Sequence, residues 1–137
     1  MRQYVSYTIL SAKAATGAGI AILCKDFRHA IFSFATDGGG TAILTTKFQG
    51  AISEGATAGQ APAFGSAQSV TNLWDYIEVV DLQSGSTING DTGVAITVAG
   101  DDYRLLEANI NGLDYICARV TVRTAGNVTI KCRLYND

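Results

Sequence analysis

Residues 115–135 read YICARVTVRTAGNVTIKCRLY, and the fold class turns on them. Over 115–123, Ile116, Ala118, Val120 and Val122 share one face of an extended chain, while Tyr115, Arg119, Thr121 and Arg123 share the other. Over 127–135, Val128, Ile130, Cys132 and Leu134 alternate with Thr129, Lys131, Arg133 and Tyr135. A period of two is the signature of a half-buried strand. Thr124-Ala125-Gly126 lies between the runs, with Gly where a left-handed residue is needed, so the spacing predicts a hairpin. Its register sets Val122 opposite Val128, Val120 opposite Ile130 and Ala118 opposite Cys132, so that every apolar side chain meets another. Cys117 then points away from Cys132, and no disulfide between them is expected.

Working outward, Asn111-Gly112 is a turn signal closing a strand over 103–110. Residues 27–35 (FRHAIFSFA) and 41–48 (TAILTTKF) flank Asp37-Gly38-Gly39-Gly40 and read as a second hairpin. A long strand is predicted over 72–82, a shorter one over 93–99, and a first strand through Val5–Leu10. Residues 50–70 are small, Gly/Ala-rich and aperiodic, which reads as an extended loop or arm. No window sustains helical periodicity. Many short strands without helical interludes predict one all-β domain over 1–137, a β-sandwich of jelly-roll type. Strand 27–35 is apolar on both faces, with Ala30, Phe32 and Phe34 on one and Ile31 and Ala35 on the other. A sandwich strand needs only one such face, so its second face calls for a cover.

Charge is sparse, at 16% of residues against about 25% in an ordinary domain. A surface this bland is easiest to understand when copies or partners cover part of it. The ten Lys/Arg form no run and the net charge is −2, so neither a nucleic-acid footprint nor a polybasic membrane patch is expected. No stretch of about 18 apolar residues offers a membrane span. The Val5–Leu10 patch is interrupted by Ser6 and Thr8, and it reads as a strand rather than a leader.

Chemical motifs are weak. Asp91-Thr92-Gly93 is the triplet of aspartic proteases, but it follows Ser86-Thr87-Ile88-Asn89-Gly90, a loop-like stretch rather than an apolar strand. A turn opening the strand Val94–Val98 accounts for it. His29, the single histidine, sits in an apolar strand with no identifiable nucleophile beside it. Cys24, Cys117 and Cys132 lack zinc spacing and read as buried free thiols. Asp101-Asp102 reads as a turn pair. Gly17-Ala18-Gly19 and Gly38-Gly39-Gly40 lack a phosphate-loop ending and read as turns. No catalytic, metal or cofactor-binding residue is expected. Trp74 and Tyr76, on one face of strand 72–82, and Tyr4, Tyr7, Tyr103, Tyr115 and Tyr135 elsewhere are read as packing residues, with an exposed sugar platform as the alternative.

The run Trp74-Asp75-Tyr76-Ile77-Glu78-Val79-Val80-Asp81-Leu82, the turn Gly90-Asp91-Thr92-Gly93 and the stretch from Asn109 through Asn111-Gly112-Leu113 to Ala118-Arg119-Val120 resemble small structural proteins of tailed phages. In size and style the chain is most similar to head decoration, or cement, proteins. That resemblance covers about residues 72–135. It implies a β-sandwich or jelly roll in the virion, assembled in the host cytoplasm, that stabilises the capsid shell. The implied partners are the major capsid protein and further copies of the chain, as a homo-dimer or homo-trimer. The alternative is a receptor- or carbohydrate-binding module of a tail fibre or spike. Ile31, Phe32, Phe34, Phe64, Trp74 and Tyr76 are the residues expected at the interface.

Overall fold

The computed structural model describes residues 4–37, 42–52, 74–97 and 103–136. These form strands and turns, with no helix among the described residues. In chain order the strands are β1 (Tyr4–Lys13), β2 (Gly17–Ala18), β3 (Ile22–Leu23), β4 (His29–Asp37), β5 (Ile43–Ala51) and β6 (Asp75–Ile77). They continue as β7 (Val79–Asp81), β8 (Thr87–Ile88), β9 (Val94–Ile96), β10 (Tyr103–Asn109), β11 (Tyr115–Ala125) and β12 (Asn127–Tyr135). Sheet A runs β1-β12-β4-β10-β7-β8, and sheet B runs β2-β11-β5-β6, with β3 also on β11 and β9 also on β5. With the short β7, β8 and β9 set aside, β1-β12-β4-β10 faces β2-β11-β5-β6. That is the winding of a jelly roll, as expected.

The neighbours, however, differ from those the turn signals predict. β11 does not pair with β12: β11 lies in sheet B against β5, and β12 lies in sheet A between β1 and β4. The chain crosses from one sheet to the other at Gly126, whose φ is +82°. A Cβ there would lie 2.8 Å from the Ala42 Cβ, so glycine is required by space as well as by φ. Likewise β4 and β5 belong to opposite sheets, so 27–35 and 41–48 are no hairpin. The Asn111-Gly112 turn, closed by Leu113 N–H donating to the Ile110 carbonyl at 2.9 Å, also carries the chain from sheet A to sheet B. The reason is geometric. Two strands facing each other across a sandwich present the same alternation as two strands side by side, because both turn their apolar faces to one interior.

Strand 72–82 divides in the same way. β6 pairs with β5 in sheet B, β7 pairs with β10 in sheet A, and Glu78 is the crossing point. Two further corrections are local. Gly17-Ala18 is a short strand on β11 rather than a turn, and Thr87–Ile88 is a strand on β7 rather than a loop. Gly19 follows β2 so closely under β1 that a Cβ would fall 1.9 Å from the Ile9 carbonyl oxygen. Val122 leaves the apolar face because β11 bulges between Val120 and Val122, and it is 56% exposed.

The main core fills the space between the sheets. Ala30, Phe32 and Phe34 of β4 and Val128, Ile130, Cys132 and Leu134 of β12 meet Leu44, Phe48, Ile116, Ala118 and Val120 of sheet B. The Phe32 and Phe48 rings lie 4.3 Å apart between centroids. This packing is what gives sheet A a fixed outer face.

Candidate functional site

Because side chains alternate, the register of sheet A dictates what its outer face carries. Four rows cross it. Tyr4, Tyr135, His29 and Asn109 align, as do Ser6, Arg133, Ile31 and Glu107. The third row is Thr8, Lys131, Ser33 and Leu105, and the fourth is Thr129, Ala35 and Tyr103. Ser6, Ile31, Ser33, Leu105, Lys131 and Arg133 line a shallow groove of about 410 Å³. Tyr4 and Tyr103 stand at diagonally opposite corners, 56% and 59% exposed, and Leu105 on the floor is 42% exposed.

Side-chain contacts hold this surface in place. The Arg133 guanidinium lies 4.3 Å from the centre of the Tyr4 ring. The Tyr135 hydroxyl donates to Glu107 Oε2 at 3.1 Å, and the His29 ring stacks on Tyr135 at 5.1 Å. Ser33 Oγ and the Tyr103 hydroxyl are hydrogen-bonded at 3.3 Å. Glu107, the carboxylate in the row of Ser6, Arg133 and Ile31, is therefore tied to a phenol, while Lys131 and Arg133 line the groove.

Away from this groove, Tyr7 on β1, Ile20 between β2 and β3, and Leu23 on β3 are also exposed. Ile20 N–H donates to the Ile9 carbonyl at 3.3 Å, which ties the β2–β3 connection to β1.

The expected interface residues scatter. Ile31 is on the groove floor. Phe32 and Phe34 are 1% and 0% exposed in the inter-sheet core, so the expectation that they meet a partner is corrected: they pack against the opposite sheet. Trp74 is 3% exposed in a second cluster on the outer side of sheet B, with Ala21, Ala51 and Cys117. Its ring lies 6.5 Å from that of Tyr115, so it is no sugar platform. Tyr76 is half-buried beneath Lys47 Nζ, 4.8 Å from its ring centre. Phe64, Asp101-Asp102 and most of the 50–70 excursion lie outside the described residues; residues 50 and 51 belong to β5. Sequence reasoning named Tyr4 and Tyr103 only among the aromatics open to a sugar, without placing them together, and missed Leu105. The signal was present in the outward set Thr129, Lys131, Arg133 and Tyr135, whose cross-strand neighbours were unknown.

The chemical candidates are accounted for locally. Asp91 sits in an exposed turn in which Asn89 Oδ1 accepts from Asp91 N–H at 2.8 Å and Thr92 N–H at 3.4 Å. His29 is spent on the Tyr135 stack. The three thiols are free and buried, and desolvation pushes each up to about 12. Among the described residues no three His, Cys, Asp or Glu side chains are grouped to hold a metal ion.

No family model and no curated protein matches the chain. Solved structures do. The chain is similar to the SPBc2 prophage-derived protein YomS, with a TM-score of 0.68 and 15% identity over 99% of this chain and 96% of that one. It is also similar to the PBSX exported protein XepA, with a TM-score of 0.66 and 15% identity over 98% of this chain. It spans only 38% of XepA's length. At this identity the likeness is one of fold, and the jelly roll described above is the fold that all three share.

Proposed function

We propose that the chain is a non-catalytic structural module of a phage particle, one that decorates and stabilises the capsid shell. The exposed apolar side chains of Tyr7, Ile20 and Leu23 carry this reading. On a sandwich whose core is already filled, large apolar side chains left at the surface offer area for a partner to cover. The phage setting is supported by the match to a prophage-derived protein along nearly the whole of both chains. A module of this kind acts through buried area and copy number, each copy adding to the cost of separating the subunits it bridges.

The test is assembly. Light scattering over a concentration series should give a closed dimer or trimer, and the protein should co-sediment with empty heads of the parent phage. Leu23→Asp should abolish both while leaving the thermal melt unchanged, since Leu23 is exposed. A strict monomer that never sediments with heads overturns the reading.

A further inference from the structure

We infer that the outer face of sheet A is a binding site for an acidic polysaccharide, held in the groove between Tyr4 and Tyr103. The inference is independent of the assembly reading, because Tyr7, Ile20 and Leu23 do not line the groove.

Three observations lead to it. First, the face offers side chains and no free ladder. β12 pairs on both sides, with β1 and β4, and β4 pairs with β12 and β10. Their backbone donors and acceptors are spent, so a peptide laid here has no edge with which to extend the sheet. A polymer that brings its own hydroxyls needs only the hydroxyl and cations that Ser6, Lys131 and Arg133 supply. Second, the groove lining carries positive charge. Lys131 and Arg133 line it, no carboxylate among the described residues lines it, and Glu107 holds its carboxylate against the Tyr135 hydroxyl. Asp37 lies on β4 beyond the row of Tyr103. Lys131, with Arg133 seated on the Tyr4 ring beside it, puts positive charge along the open groove, which favours an anionic ligand. Third, the exposed Tyr103 ring and the face of Tyr4 away from Arg133 are flat apolar surfaces at opposite corners, with Leu105 and Ile31 between them. Such faces stack on the C–H side of a sugar ring. The diagonal from Tyr4 to Tyr103 crosses three strand spacings and six residues of rise, roughly 25 Å, so the groove takes a run of rings rather than one.

Affinity electrophoresis through gels containing polygalacturonate, with dextran and poly-glutamate gels as controls, tests this directly. Polygalacturonate should retard the protein, and dextran and poly-glutamate should not. Retardation should fade at 1 M salt, where the Debye length is about 3 Å. Tyr4→Ala and Tyr103→Ala should each weaken binding by roughly three- to tenfold, the loss of one stacked ring. Leu105→Glu, which puts an acid on the groove floor, should abolish retardation with an unchanged melt. Arg133→Gln with Lys131→Gln should do the same. No retardation by polygalacturonate at low salt overturns the proposal. So does equal retardation by poly-glutamate that ignores the tyrosine variants, which is bare charge attraction. Equal retardation by dextran overturns the selection for acid.

Discussion

The outer faces of the two sheets grow from the same strand alternation yet end differently. Sheet A turns Tyr4, Tyr103 and Leu105 to solvent, with Lys131 and Arg133 along its groove. Sheet B turns Gln49, Cys117 and Arg119 outward, and all three are at most 1% exposed. Polar residues are therefore buried where an outer face predicts exposure, and aromatic residues are exposed where packing predicts burial. An alternating pattern assigns side chains to faces but does not say which faces meet water. The outer side of sheet B is a second, smaller core around Trp74, and the outer side of sheet A is left free for recognition.

The sharpest test of that contrast compares two aromatic truncations. Trp74→Ala should lower unfolding free energy by about 3–5 kcal/mol, as removal of a buried aromatic does. Tyr103→Ala should stay within roughly 0.5 kcal/mol, because the ring is 59% exposed. Urea denaturation of both variants measures the difference. Equal costs would mean that the two outer faces are alike.

The thiols probe both interiors at once, since Cys24 and Cys132 lie in the inter-sheet core and Cys117 in the sheet B cluster. Each folded-state pKa is raised from 9.0 to about 12 by desolvation. The folded protein therefore keeps protons that the unfolded chain releases from pH 9 upward. Stability is fully present below pH 9 and is lost as pH climbs toward 12, at about 1 kcal/mol per thiol between pH 9 and 10. Cys117→Ala should reduce the slope by one thiol's share. Under denaturing, non-reducing conditions three thiols should titrate. That result agrees with the absence of a Cys117–Cys132 bridge, although the cause is their placement in different sheets rather than opposite pointing within a hairpin.

Gln49 separates the faces more finely. Its side-chain amide is fully buried, and neither its nitrogen nor its oxygen has a hydrogen-bond partner. An orphaned buried amide costs about 1–3 kcal/mol, so Gln49→Met, which keeps the length and removes the polarity, should be neutral or stabilising by about 1 kcal/mol. A loss above that in a thermal melt would show that the amide is used.

The smallest effect belongs to the protease-like triplet. Asn89, not Asp91, supplies the oxygen that closes the turn. Asn89→Ala should cost about 1 kcal/mol and Asp91→Asn less than that. Acid proteolysis by the parent protein that vanishes in Asp91→Asn would restore a role for the carboxylate.

Much of the fold was legible along the chain because it is written at short range. The period of two in β4, β11 and β12, the glycine at 126 and the Asn-Gly at 111–112 each act through one or two residues of backbone. They determined strand positions, the sharing of one face by Phe32 with Phe34 and by Ile130 with Leu134, the buried thiols and the sandwich itself, but not that the Phe32–Phe34 face is the inner one. Strand partners were not legible. An arch between sheets and a hairpin within one use the same glycine and the same alternation, and they differ only in whether the chain spans about 10 Å or about 5 Å. That choice rests on contacts between residues far apart in sequence, such as Phe32 with Phe48 and Cys132 with Phe32. The groove follows from it. Ser6, Ile31, Leu105 and Arg133 come from four separate strands, and only the order β1-β12-β4-β10 sets them side by side. The sequence by itself determined which side chains could face outward together on each strand. The tertiary structure decided which strands adjoin, and hence which residues share a surface, because pairing across a sheet is a long-range choice that no local pattern encodes.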